Sequence, residues 1–143
     1  MPPDLFFTIM NAIHRGAVVL SGGRLGHEVM NMPVLELTTT GRRTGERRTV
    51  YLTSPVQEGD TIVVVASKGG DDRHPAWFHN LTADPAVEVA WMGGDTKPMR
   101  ARVATPEERA RLWSQVTARY GGYAQYQKRA ARQIPLVLLE PAE

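Results

Sequence analysis

Arg42, Arg43, Arg47 and Arg48 crowd into seven residues around Thr44 and Gly45. Guanidinium groups present rigid paired donors that match phosphate or carboxylate oxygens. Glycine lets the backbone approach a ligand closely and take a positive φ. The chemistry on offer is anion binding, and its plain rival is a solvated, charged hairpin tip that holds nothing. A second basic turn, Ser67-Lys68-Gly69-Gly70, leads into Asp71-Asp72-Arg73-His74-Pro75-Ala76-Trp77. Two cationic glycine turns can face one ligand, although a simple strand-to-helix connection would also use these glycines. Tyr120, Tyr123 and Tyr126 recur every three residues. On one helix they would spread phenols over one broad face, as core packing or as the border of a half-wet pocket.

Other chemistries are excluded by missing strings. A dinucleotide fold needs G-x-G-x-x-G and a P-loop needs a lysine after its second glycine, and neither occurs. There is no G-x-S-x-G elbow and no H-E-x-x-H pair. His74 and His79 are five apart, which does not align them on a helix face, so no metal site is expected. His14 and His27 read as surface or capping residues. The chain has no cysteine, which removes disulfides and thiolate metal ligands and suits a reducing cytoplasm. A formal net charge of +2 confines the basic character to a few loops and argues against duplex nucleic acid as a partner. With 143 residues, 42% hydrophobic and 22% charged, one domain spanning residues 1–143 is expected.

These residues need elements to hold them. Residues 4–20 read as an amphipathic helix capped by Asp4, with Phe6, Met10, Ile13 and Ala17 forming one buried stripe. Asn11, His14 and Arg15 interrupt its apolar run, so it is neither a signal peptide nor a membrane span, and the protein is expected to be cytoplasmic, with peripheral membrane contact as the alternative. Residues 34–40 and 48–53 alternate as strands joined by the arginine loop. Residues 61–66 are continuously apolar and β-branched, the mark of a central strand buried on both faces. Residues 87–92 and 97–104 flank Gly93-Gly94-Asp95-Thr96 as a second hairpin. Thr105, Pro106 and Glu108 supply a capping box for a helix to about Tyr120. Gly121-Gly122 breaks it, a shorter helix follows over 123–132, and 136–140 is a final strand. The expected fold class is mainly β with flanking helices (α+β), about six antiparallel strands around a closed or partly closed barrel.

The ordered strings Leu37-Thr38-Thr39-Thr40-Gly41-Arg42-Arg43-Thr44-Gly45, Arg47-Arg48-Thr49 and Val64-Val65-Ala66-Ser67-Lys68-Gly69-Gly70 resemble the deazaflavin-dependent nitroreductase family. The likeness continues through His74-Pro75-Ala76-Trp77-Phe78-His79-Asn80-Leu81, Ala83-Asp84-Pro85-Ala86-Val87-Glu88-Val89, the three tyrosines and Ile134-Pro135, covering about 34–141. It implies a split β-barrel of the FMN-binding, pyridoxamine-phosphate-oxidase-like type, with residues 34–141 as the cofactor-binding barrel. It further implies the coenzyme F420, a deazaflavin with a phospholactyl and oligoglutamate tail. Arg42, Arg43, Thr44 and Arg48 would hold the phosphate and tail carboxylates. Thr49, Val50, Tyr51, Leu52, Val65, Ala66, Ser67, Lys68, Ala76, Trp77, Phe78, His79, Asn80 and Tyr123 would wall the ring. The implied reaction is hydride transfer from the reduced deazaflavin to an electron-poor acceptor: a quinone, a nitro-heterocycle or an unsaturated lactone such as a coumarin. Ser67, Tyr120, Tyr123 and Tyr126 are its implied catalytic residues, as lid or hydrogen-bond donors, and an F420-reducing dehydrogenase would be met only through the shared coenzyme. Two alternatives keep the same basic loops: an FMN-binding split-barrel reductase, and a non-enzymatic carrier of fatty acids or anionic lipids. The position after Arg48-Thr49 holds Val50-Tyr51, a departure from the family pattern that leaves the acceptor unassigned.

Overall fold

The computed structural model describes residues 28–29 and 32–142, so the helix expected over residues 1–20 lies outside the described residues. The chain runs β1 (Glu28–Val29), β2 (Met32–Thr40), β3 (Arg47–Thr53), β4 (Val56–Glu58), β5 (Thr61–Val65), a 3-10 turn (Lys68–Gly70), and α1 (Ala76–Ala83). It continues through β6 (Ala86–Trp91), β7 (Lys97–Val103), α2 (Pro106–Arg119), α3 (Gly122–Arg129) and β8 (Leu136–Pro141). Every strand pairing is antiparallel, in the order β1-β2-β6-β7-β8-β5-β4, with β3 attached to β2.

The fold class is the expected one, a mainly β curled sheet with helices, and among the described residues the strand count is eight rather than about six. β1 and β4 contain two and three residues, too few for an alternation to show. Among the described residues no ladder joins β3 to β4, so the barrel is split rather than closed. Ser54 ties the split edges together instead. Its hydroxyl is buried and donates to the carbonyls of Val56 and Val63, and its own N–H reaches Pro33 O at 3.1 Å.

β5 is buried on both faces, as its unbroken apolar run requires. Ile62 and Val64 point into a core formed inside the curl with Leu35, Leu37, Val137 and Leu139, closed by Trp77, Phe78 and Leu81 of α1. Val63 and Val65 point the other way, into a second core under α2 and α3 with Leu112, Val116, Tyr123 and Ile134. The capping box at Thr105 forms in full, with Thr105 Oγ1 accepting from Glu108 N at 3.2 Å and Thr105 N donating to Glu108 Oε1 at 2.9 Å. The shorter helix α3 ends earlier than expected, at Arg129 rather than Arg132. Ala130 adopts an extended conformation at φ −78, ψ 139 and frees residues 130–133 from the helix.

Candidate active site

Register places the arginines. β2 and β3 pair Thr40 with Arg47, Thr39 with Arg48 and Thr38 with Thr49, leaving residues 41–46 as the hairpin tip. The tip is closed by Gly41 N to Glu46 O at 2.7 Å and Gly45 N to Gly41 O at 2.8 Å. Gly45 sits at φ 75, in the left-handed region that side chains resist. From this tip and from α1 a cleft of about 780 Å³ is lined by Thr39, Gly41, Arg42, Arg43, Thr44, Arg47, Arg48, Thr49, Val50, Ala76, Trp77 and Asn80.

The four arginines are not equivalent. Arg47 is a strut: its guanidinium pairs with Glu88 at 2.7 Å and donates to Thr40 Oγ1. Arg48 meets Glu46 at 3.0 Å in an exposed pair. Arg42 and Arg43 have no carboxylate partner among the described residues, so their charge is left to the cleft. That field is felt across it. Desolvation first, then the Arg42 and Arg43 charges, pull the His79 imidazole below its usual pKa.

Asn80, expected as a ligand contact, has both ends of its amide engaged by the scaffold. Oδ1 accepts the Arg42 backbone N–H at 3.1 Å, and Nδ2 donates to the buried Thr39 hydroxyl at 3.1 Å. One buried amide therefore fixes α1 to the start of the arginine loop.

The structure gathers Arg42, Arg43, Thr44, Arg48, Thr49, Val50, Ala76, Trp77 and Asn80 around one cleft and places the other expected contacts elsewhere. Side chains alternate along β3, so Arg48, Val50 and Leu52 share a face with Thr39, Leu37 and Leu35, and Leu52 is absorbed into the core. Tyr51 and Thr53 lie on the opposite face, where Thr53 Oγ1 and Tyr123 OH share a hydrogen bond at 3.4 Å. Over roughly 17 Å, β3 thus connects the arginine cleft to the tyrosine helix. Val65 belongs to the second core, Ala66 and Phe78 to the first. Ser67 is 3% exposed and opens the 3-10 turn that contains Lys68.

The three tyrosines do not share one helix face. Tyr120 is the C-cap of α2, at φ −135, ψ 84, whereas Tyr123 and Tyr126 ride on α3, packed edge to face at 5.9 Å. A glycine pair between helices defeats any spacing argument drawn across it. Tyr123 is buried, its hydroxyl donating toward Met32 Sδ at 3.6 Å. Burial pushes its pKa up to about 12, so the phenol stays protonated across the physiological range. Tyr120 and Tyr126 pack partly buried at the margin of the same core. Thr39, Gly41 and Arg47 line the cleft without having been among the expected cofactor contacts; the hairpin register brings Thr39 and Arg47 there, and Gly41 follows as the first residue of the tip. No cluster of three or more metal-ligating side chains occurs among the described residues.

The family model described as F420H(2)-dependent quinone reductase matches residues 12–141. The chain belongs to that family. An F420H(2)-dependent quinone reductase of Mycobacterium tuberculosis is 41% identical over 133 residues, covering 90% of this chain and 85% of the relative. A second Mycobacterium tuberculosis protein, a putative F420H(2)-dependent quinone reductase, is 33% identical over 110 residues, covering 77% of this chain and 91% of its own length. Among solved structures, an F420-H2 dependent reductase (FDR-A) superposes with a TM-score of 0.66 at 38% identity, covering 76% of this chain and 94% of that one. A putative pyridoxamine 5'-phosphate oxidase from Listeria innocua, 12% identical with a TM-score of 0.56 over 92% of this chain and 94% of that one, shows the same fold. The F420H(2)-dependent quinone reductase family is named for the coenzyme that the arginine loop was expected to serve. The flavin mononucleotide and lipid-carrier alternatives have no counterpart in that name.

Proposed function

We propose that this chain is an F420-dependent reductase that passes a hydride from the reduced coenzyme to a quinone. The observation that supports it most directly is the pair Arg42 and Arg43, two guanidinium groups with no carboxylate partner among the described residues at the mouth of a cleft with Val50, Ala76 and Trp77 in its wall. A polyanionic tail with an apolar ring fits that donor set: cations for the tail, an indole and aliphatic surface for the ring.

Arg42, Arg43, Thr44 and Arg48 bind the phosphate and tail carboxylates, each charge-assisted contact adding ~1.5 to 3 kcal/mol. Thr49, Val50, Ala76 and Trp77 wall the cofactor, with Asn80 holding the loop in shape. Leu52, Ala66 and Phe78 pack behind that wall with His79 beside them on α1, while Tyr51 and Val65 lie on the tyrosine side of the sheet. Ser67 and Lys68 present the second cationic turn, and Tyr120, Tyr123 and Tyr126 exclude water from the acceptor. When bound, the reduced coenzyme supplies the hydride. Tyr123, protonated at working pH, can hold a donor hydrogen bond but does not shuttle protons by ionising. Ser67 is the hydroxyl we assign to the acceptor oxygen as it gains charge.

Quinones are the primary acceptor class, in keeping with the family's description, and nitro-heterocycles and unsaturated lactones are further acceptors that an apolar, aromatic pocket accommodates. A separate dehydrogenase regenerates the coenzyme. We place the enzyme in the cytoplasm, and no helix among the described residues is long and apolar enough to cross a membrane.

The test is a fluorescence titration of purified protein with F420 and, separately, with flavin mononucleotide, followed by oxidation of reduced F420 with a quinone panel. Tight F420 binding with quinone-dependent oxidation is expected. Binding of flavin mononucleotide alone, or of neither, would sink the assignment.

A further inference from the structure

The turn that carries Ser67 and Lys68 is held in an unusual shape by side chains outside the cleft. Lys68, Gly69 and Gly70 all have positive φ, at 46, 64 and 88, and a non-glycine residue in that region is strained unless its surroundings fix it. The surroundings here are the end of α3 and the segment after it. Arg132 spreads one guanidinium over four carbonyls: Nε donates to Asp71 O at 3.1 Å, and Nη2 to Ala66 O at 3.1 Å, Ser67 O at 3.1 Å and Arg73 O at 3.2 Å. From the other side, Asp72 Oδ1 accepts the Ala131 backbone N–H at 2.7 Å. Gly70 is pressed on α3 so closely that a Cβ there would come within 3.0 Å of Tyr126 O and 3.1 Å of its Cα.

The turn and the tyrosine helix are thereby fastened to each other rather than merely adjacent. Arg132 Nη1 is buried without a hydrogen-bond partner among the described residues, an unmet donor that costs stability. The residue is thus better placed for holding several carbonyls in one geometry than for satisfying itself.

We infer that Arg132 and Asp72 form a latch, acting as positioning residues that hold the Ser67–Lys68 turn at a set distance from Tyr123 and Tyr126. This rests on the proposed F420 reaction, in which the turn and the tyrosines serve one reacting pair. The latch touches neither coenzyme nor acceptor; it acts by keeping its neighbours from drifting, and a displacement near 1 Å at such a site costs about a hundredfold in rate.

Two variants test it. Arg132→Lys keeps the charge but cannot span four carbonyls, and Asp72→Ala removes the opposite fastening. Both are first checked for a cooperative melt. Hydrogen exchange is then read at Gly70 and Asp71, whose N–H groups bond within the turn to Ser67 O and Lys68 O. Expected are exchange at least about tenfold faster there, unchanged exchange in β2 and β6, and a fall in kcat of about tenfold to a hundredfold that exceeds the loss in F420 affinity. Unchanged exchange in the turn, or equal acceleration everywhere, overturns the latch. A loosened turn with kcat within about twofold of the parent overturns its role in the reaction. Parent protein that binds no F420 refutes the proposed reaction instead, and the exchange pattern, which needs no coenzyme, still shows whether Arg132 and Asp72 fasten the turn.

Discussion

Asn80 Oδ1 accepts the backbone N–H of Arg42 at 3.1 Å, while the other end of the same amide holds the Thr39 hydroxyl. A single side chain on α1 thus sets where the arginine loop begins. Replacing it separates shape from charge. Asn80→Ala leaves a buried hydroxyl and a backbone N–H without their partner, and a loss of about 1 to 3 kcal/mol in stability is expected from chemical denaturation. Asn80→Asp keeps the acceptor for Arg42 but puts a carboxylate beside the cleft, so it should bind F420 more weakly than Asn80→Ala while melting higher. The reverse order in a fluorescence titration would show that holding the loop in shape outweighs the added charge, and that the carboxylate at position 80 lies out of reach of the coenzyme.

The inequality among the arginines gives a second expectation. Arg42→Ala or Arg43→Ala should weaken F420 binding by about tenfold to a hundredfold and flatten its dependence on salt. Arg47→Ala removes an exposed cross-strand pair, whose side chains are 45% and 47% accessible, and should change stability by less than about 1 kcal/mol with little effect on affinity. Equal losses for Arg43 and Arg47 would contradict the division between ligand and strut.

His79 makes binding depend on pH in a definite direction. Its pKa is lowered by desolvation and by the Arg42 and Arg43 charges, and a polyanion laid on those arginines cancels part of that field. The bound state then has the higher His79 pKa. Binding takes up protons, and F420 affinity rises as pH falls through the histidine range. Calorimetry in buffers of different ionisation enthalpy should detect this uptake and lose it in His79→Gln. Proton release on binding would reverse the argument.

Away from the site, Arg102 binds Glu108 at 2.7 Å and Glu140 at 2.8 Å, and Glu108 also closes the capping box. The Arg102 hydrogen bond, followed by the Thr105 N–H, lowers the Glu108 pKa to about 2. A depressed carboxylate stabilises the fold above its ordinary pKa of 4.5 and loses that contribution as pH falls toward 2. Glu108→Gln should therefore melt below the parent at pH 7, with the gap closing in acid. A gap that persists at pH 2 would assign the difference to packing.

How far the sequence foretold the molecule depended on whether a signal was local. The β2–β3 hairpin, the doubly buried β5 and the capping box at Thr105 declare themselves within a few neighbouring residues, and each formed as expected. The resemblance to a family named the coenzyme, and the arginine loop supplied its physical reason. What the chain hid was relational. Nothing near Arg132 advertises four carbonyls some 60 positions away. The run Thr49 to Leu52 looked like one wall because period-two alternation divides its side chains only once a pleated strand exists. Tyr120, Tyr123 and Tyr126 looked like one row because the glycines between helices redirect the chain.

The hairpin's pairing of Thr40 with Arg47 has an outcome for tinkering with the gene. Exchange of one tip residue for another leaves the frame of β3 intact, but inserting or deleting a single codon between positions 41 and 46 shifts the strand by one pleat, turning Arg48 away from the face it shares with Thr39 and setting Thr49 there in its stead. Diversity at this tip can therefore be explored in letters, not in length.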